Sequence, residues 1–91
     1  MKKNAHAAEV LGNTLREIRT ARRMTQEEIA LEAGVDRTFL TRVENGKLSP
    51  SFDSILAIAS ALGVTLTQLS QRFEQNMGKP DNEKSSPQQS S

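Results

Sequence analysis

Thr25-Gln26-Glu27-Glu28-Ile29-Ala30-Leu31-Glu32-Ala33-Gly34-Val35-Asp36-Arg37-Thr38-Phe39-Leu40-Thr41-Arg42-Val43-Glu44-Asn45-Gly46 reads as two short helices joined by a two-residue turn. Thr25 and Glu28 form a capping box, each side chain satisfying a backbone donor of the other, and Met24 with Ile29 is the matching hydrophobic staple. Gly34 after Ala33 suits a left-handed stop. Asp36 is an N-cap for the next helix, with Val35 and Leu40 as its staple, and Asn45-Gly46 ends it. A linker as short as Gly34-Val35 makes the helices cross steeply and projects the second outward. Placed on a wheel from Arg37, the positions Arg37, Thr41, Asn45, Thr38 and Arg42 fall at about 0°, 40°, 80°, 100° and 140°, and Phe39, Val43 and Leu40 at about 200°, 240° and 300°. One face is therefore apolar. The other carries two arginines, two threonines and an asparagine, with Glu44 at its border. Arginine forks to guanine O6 and N7, and threonine offers a hydroxyl and a methyl, so this face suits hydrogen bonding in a DNA major groove.

Outward from this pair the chain continues as helices. Before it, a helix is predicted from about Ala8 to Arg23, with Leu11, Leu15 and Ile18 on one face and Arg16, Arg19, Arg22 and Arg23 elsewhere. After it, Lys47-Leu48-Ser49-Pro50 is a loop and Ser51 caps a fourth helix. Ile55, Leu56, Ile58, Ala59 and Leu62 make that helix's buried face, and Gly63 stops it. Thr65-Leu66-Thr67-Gln68 is a second capping box, stapled by Val64 and Leu69, and opens a fifth helix to about Asn76. No period-2 run of β-branched residues occurs, so the fold class expected is all-α with five helices. The domain expected spans 8–77. Residues 1–7 are expected to be a flexible arm, in which Lys2 and Lys3 read as an ordinary terminus rather than a DNA-contacting arm. The wholly polar stretch 78–91 is expected to be a disordered tail.

Composition narrows the function. Ninety-one residues fit one small domain. The chain has no cysteine and only His6 as histidine, so neither disulfides nor an acid–base or metal cluster is expected, no cofactor is called for, and an enzyme is the remotest reading. No apolar run reaches the roughly 20 residues that span a bilayer, and the charged N-terminus has no apolar stretch behind it. A cytoplasmic chain without membrane contact is the expectation. Net charge is only +1, weak for a nucleic-acid binder, but nine of the twelve Lys/Arg lie within residues 1–51. Trp and Tyr are absent, which disfavours base-stacking recognition of single strands or RNA.

Leu15 through Leu69 resembles the phage repressor and Cro (XRE-type) helix-turn-helix domain, over about 60% of the chain. The motif runs Arg19, Met24-Thr25-Gln26-Glu27-Glu28-Ile29-Ala30, Ala33-Gly34-Val35, Arg37-Thr38, Val43-Glu44-Asn45-Gly46, Pro50-Ser51 and Leu62-Gly63-Val64. Asp36-Arg37-Thr38-Phe39-Leu40 is also similar to the restriction–modification controller branch. The resemblance implies a lambda-repressor-like five-helix bundle and a sequence-specific transcription regulator on double-stranded DNA, with helix three (about 37–45) in the major groove. It implies base reading by Arg37, Thr38 and Arg42 with Thr41 at the edge, and phosphate contacts by Gln26, by Asn45 and by the backbone donors at Ser51 and Phe52; the basic excess around Arg37, Arg42 and Lys47 adds Lys47 as a phosphate contact. Arg19 and Glu44 would pair as a buried salt bridge. A homodimer on a palindromic operator is expected because one recognition helix covers few base pairs, with Leu66, Leu69 and Phe73 of helix five as its interface. Leu31 lies off the apolar stripe of helix two. Contact with RNA polymerase there is outweighed by the reading as a scattered exposed leucine. The rival function is a protein-interaction module, such as an antitoxin or adaptor, on the same fold.

Overall fold

Helices α2 to α5 each begin on a side chain that takes up a free amide of the first turn. The fold, obtained as a computed structural model, describes residues 5–78: α1 Ala5–Ala21, α2 Gln26–Ala33, α3 Arg37–Glu44, α4 Phe52–Leu62 and α5 Leu66–Met77. The Thr25 hydroxyl accepts from the Glu28 amide at 3.0 Å, and the Glu28 carboxylate accepts from the Thr25 amide at 2.8 Å. Thr65 and Gln68 repeat this box at 3.0 and 2.9 Å. Asp36 accepts from the Thr38 amide, and Ser51 from the Ser54 amide. Each such cap contributes about 1 kcal/mol.

Helix ends are equally explicit. Gly34, Gly46 and Gly63 adopt φ of 73°, 73° and 81°, the left-handed region that glycine enters without steric cost. In each case the next residue's N–H reaches back five positions, Val35 to Ala30, Lys47 to Arg42 and Val64 to Ala59, which satisfies carbonyls the helix leaves open. Arg23 ends α1 in the same way at φ 58°, with Met24 N–H donating to the Arg19 carbonyl at 3.0 Å. That device stops α1 at Ala21, two residues before the expected end. At the other end Ala5, His6 and Ala7 extend it three residues earlier than expected, in keeping with alanine's helix propensity. Residues 5–7 therefore belong to α1 rather than to an arm. The rest of the expected arm, with Lys2 and Lys3, and the expected tail from 79 onward lie outside the described residues.

The core joins all five helices: Leu15 and Ile18 from α1, Ile29 and Ala30 from α2, Leu40 and Val43 from α3, Ile58, Ala59 and Leu62 from α4, and Leu69 from α5. Helix α1 packs on α3 and α5, and α2 on α3 and α4, while α4 turns into α5 through 101°. Among the described residues there is no strand. Two apolar assignments need correction. Leu69, expected at a dimer interface, is 2% exposed and belongs to the core. As the staple partner of Val64 it points back at its own helix start, which turns it inward. Leu56, expected on the buried face of α4, is 40% exposed, because the core packs on the side of α4 that carries Ile55, Ile58, Ala59, Ala61 and Leu62.

Two features of α1 set where α3 sits. Gly12 is buried, and a Cβ there would lie 2.4 Å from the Val43 carbonyl oxygen and 2.6 Å from that of Glu44. The bare glycine lets α1 approach the C-terminal backbone of α3. Thr14 is fully buried, its hydroxyl donating to the Val10 carbonyl at 2.7 Å and accepting from Asn76 Nδ2 at 2.9 Å. This bond, with Arg72 and Asn76 donating to Glu17, ties α5 to α1.

Candidate nucleic-acid interface

The apolar side of α3 is anchored, Leu40 and Val43 being fully buried and Phe39 half-buried. Its opposite side stands free: Arg37, Thr38, Arg42 and Asn45 are exposed and Thr41 is half-buried. The helix wheel is thus realised, with one refinement. Glu44, at the border of the polar face, is 2% exposed and points into the protein.

Glu44 is the hub that holds α3. Arg19 Nε donates to its Oε2 at 2.7 Å and Arg19 Nη2 to its Oε1 at 3.0 Å, a two-pronged pair between α1 and α3. The remaining Arg19 nitrogen, Nη1, donates to the Met24 carbonyl at 2.9 Å, fixing the α1–α2 loop to the same group. Gln26 Nε2 donates to Glu44 Oε1 at 2.9 Å, and Arg16 Nε stands 3.8 Å from that oxygen. One carboxylate therefore links α1, α2 and α3, and its burial is compensated by charge and by hydrogen bonds.

The candidate contact residues divide according to what already occupies them. Gln26 braces α3 through both ends of its amide: its Nε2 meets Glu44, and its Oε1 accepts from the Thr41 hydroxyl at 2.9 Å. The Thr41 hydroxyl also lies 3.0 Å from the Arg37 carbonyl, so it is engaged inside the protein and its methyl is what remains for a base. Asn45 Oδ1 accepts from Arg16 Nη2 at 2.7 Å. Arg37 Nη1 lies 3.5 Å from Glu27, with both side chains well exposed, a pair worth at most about 1 kcal/mol and easily exchanged for another partner. Lys47 is exposed on the loop that follows α3. The Ser51 hydroxyl is committed to Ser54, so what the start of α4 offers an anion is its open backbone N–H groups. Arg16 was legible only as one more arginine; its spacing of three from Arg19 places both on one face, the signal that it shares the Glu44 site.

A five-helix domain that locks one short helix from behind, and shows a face of Arg, Thr and Asn in front, defines a DNA-binding domain of the helix-turn-helix class. The chain belongs to the helix-turn-helix family, whose family model matches residues 15–69. It is 36% identical over 59 residues to control protein C.MunI from Mycoplasma sp, covering 64% of this chain and 80% of that one. It is similar to the immunity repressor of Bacillus phage phi105, 30% identical over 59 residues, covering 65% of this chain but spanning only 41% of that protein's length. The crystal structure of the restriction–modification controller protein C.AhdI from Aeromonas hydrophila superposes with a TM-score of 0.66 at 37% identity, covering 68% of this chain and 94% of that one. A C.Esp1396I variant, solved bound to its operator site, shares the fold with a TM-score of 0.77 at 23% identity, covering 80% of this chain and 96% of that one. The protein is a DNA-binding transcription regulator of this repressor and controller type.

Proposed function

We propose that the protein binds a palindromic operator in double-stranded DNA as a homodimer, with α3 of each protomer in the major groove. One observation carries the reading: Arg37, Thr38 and Arg42 stand exposed on a helix whose other side is locked by the Glu44 network. Arg37, Thr38 and Arg42 read bases, with the Thr41 methyl at the edge. Gln26, Asn45, Lys47 and the N-terminus of α4 at Ser51 take phosphates, which position the helix without carrying sequence information.

Dimerisation is supported by an apolar groove of about 420 Å³ with Leu11, Phe52, Ile55, Leu66 and Phe73 in its walls and Leu69 as its floor. Phe52 and Leu66 are exposed. A second copy on this surface would bury them, and two recognition helices are what binding to two half-sites about 34 Å apart requires. Among the described residues no single helix is long and apolar enough to cross a membrane. Leu31 is 84% exposed, a surface leucine of the kind ordinary in folded proteins.

Selection of duplexes from a random pool tests the reading. A two-fold symmetric site is expected, bound less tightly as salt rises because Lys/Arg contacts release condensed counterions. Enrichment of no symmetric site would replace the operator reading with that of a protein adaptor.

A further inference from the structure

Four of the helices among the described residues end on one backbone device, and one of the four is made with a residue other than glycine. Gly34, Gly46 and Gly63 occupy the left-handed position after α2, α3 and α4; after α1 it is Arg23, at φ 58°. An L side chain in that region crowds its own Cβ against the following carbonyl, a cost glycine does not incur. A residue held in a sparsely populated conformation points to a use for its side chain when no internal contact repays the strain. The side chain makes no such contact here: backbone bonds alone close the turn, and the Arg23 side chain is exposed with no hydrogen bond or ion pair within the described residues.

Its position indicates the use. Arg22 lies on another side of the molecule, its Nη1 beside the α4–α5 turn, 3.5 Å from where a Cβ of Gly63 would stand. Arg23 instead leads directly into Met24, Thr25 and Gln26, which share a cleft with Arg19 and with Arg37 at the start of α3. Two peptide units separate it from Thr25, so their Cα atoms are within about 8 Å. We propose that Arg23 is a DNA-backbone contact, its guanidinium taking a phosphate on the flank of the site that α3 reads. A planar fork that stays charged at any working pH suits a phosphate better than the residues otherwise tolerated in a left-handed turn. The proposal rests on the DNA-binding reading above.

The test uses the full chain with Arg23→Gly, Arg23→Asn and Arg23→Lys, and the duplex that wild-type protein recovers from a random pool. Arg23→Gly is expected to melt a few degrees higher than wild type while binding about 3- to 10-fold more weakly, the loss of one solvent-exposed hydrogen bond to a phosphate. Its plot of log affinity against log salt is expected to be shallower by about 0.9 per protomer. Arg23→Asn, which tolerates the left-handed backbone without the charge, should behave likewise in binding, and Arg23→Lys should keep the wild-type slope. Wild-type affinity and slope in the Gly and Asn variants would overturn the proposal. So would weaker binding at an unchanged slope, or a lower melting temperature for Arg23→Gly, since either places Arg23 in the fold instead of on DNA. Failure of the wild-type protein to bind any duplex is a separate result, which removes the DNA-binding reading itself.

Discussion

The guanidinium of Arg19 and the carboxylate of Glu44, 25 residues apart, meet in two hydrogen bonds of 2.7 and 3.0 Å inside the angle between α1 and α3. The Glu44 side chain is 1% exposed and that of Arg19 14%. Attraction between buried charges scarcely exceeds their desolvation, but removing one partner leaves the other uncompensated. Glu44→Ala and Arg19→Ala should each cost about 3–5 kcal/mol, a large part of the roughly 5–15 kcal/mol that stabilises a small domain. Arg16→Ala, at 3.8 Å and with a half-exposed side chain, should cost under about 1 kcal/mol. Urea melts of the three variants check this, and wild-type midpoints for Glu44→Ala and Arg19→Ala, with DNA binding lost, would show that the pair is not structural.

Gly12 makes a prediction of opposite sign to helix propensity. Alanine is favoured over glycine inside a helix by about 1 kcal/mol. At Gly12 its methyl would meet two backbone carbonyl oxygens of α3 at 2.4 and 2.6 Å, atoms that cannot rotate away. Gly12→Ala should therefore destabilise by about 1–3 kcal/mol, as overpacking does. Thermal melts decide it: a higher Tm for Gly12→Ala would mean that α1 and α3 are not held as closely as described.

The helices and their caps were legible because they are written in adjacent residues: Thr25 with Glu28, Asp36, Ser51, and Thr65 with Gln68 all cap where the sequence places them. The polar face of α3 was legible for the same reason, since a helix fixes its own angular spacing. Contacts between helices left weaker marks. Leu66 and Leu69 lie on one helix three residues apart; the staple with Val64 turns Leu69 inward, but how completely it is covered, and that Leu66 is not, depends on the course of α1 and α4. Gly12 does carry a sequence signal, an unforced glycine in a helix interior, which implies a close approach. The engagement of Gln26 with Thr41 had no local signal, because it depends on how α2 and α3 cross.

That distinction between Leu69 and its neighbours predicts two different failures. Leu69→Ala should open a cavity in the core and cost about 2–5 kcal/mol. Leu66→Glu and Phe52→Ala alter exposed side chains and should leave the monomer's stability within about 1 kcal/mol. Both should move the protein from dimer toward monomer in analytical ultracentrifugation. Folded variants that remain dimeric would relocate the interface to another face, with the exposed parts of α1 next in line.

Sequence reading should separate the residues of α3 and its flanks by what they leave free. Arg37 stands at the first turn of α3, the end that enters the groove in this motif, and its weak pair with Glu27 is easily given up to a base. Arg42 lies about 140° further round, on the same exposed side. Each can form a bidentate guanine contact worth about 1–3 kcal/mol of discrimination. Arg37→Ala and Arg42→Ala should each relax preference at one base position per half-site. Lys47→Ala should weaken binding to all sequences about equally, as loss of a phosphate contact does. Thr41→Val keeps a methyl but removes the hydroxyl that Gln26 accepts from. It should lower affinity through looser seating of α3 while the selected sequence stays the same. Selection from a random duplex pool with the four variants distinguishes these outcomes. If Arg37→Ala and Arg42→Ala enrich the wild-type site with undiminished stringency, these arginines touch phosphate, and Thr38 is left as the principal reader.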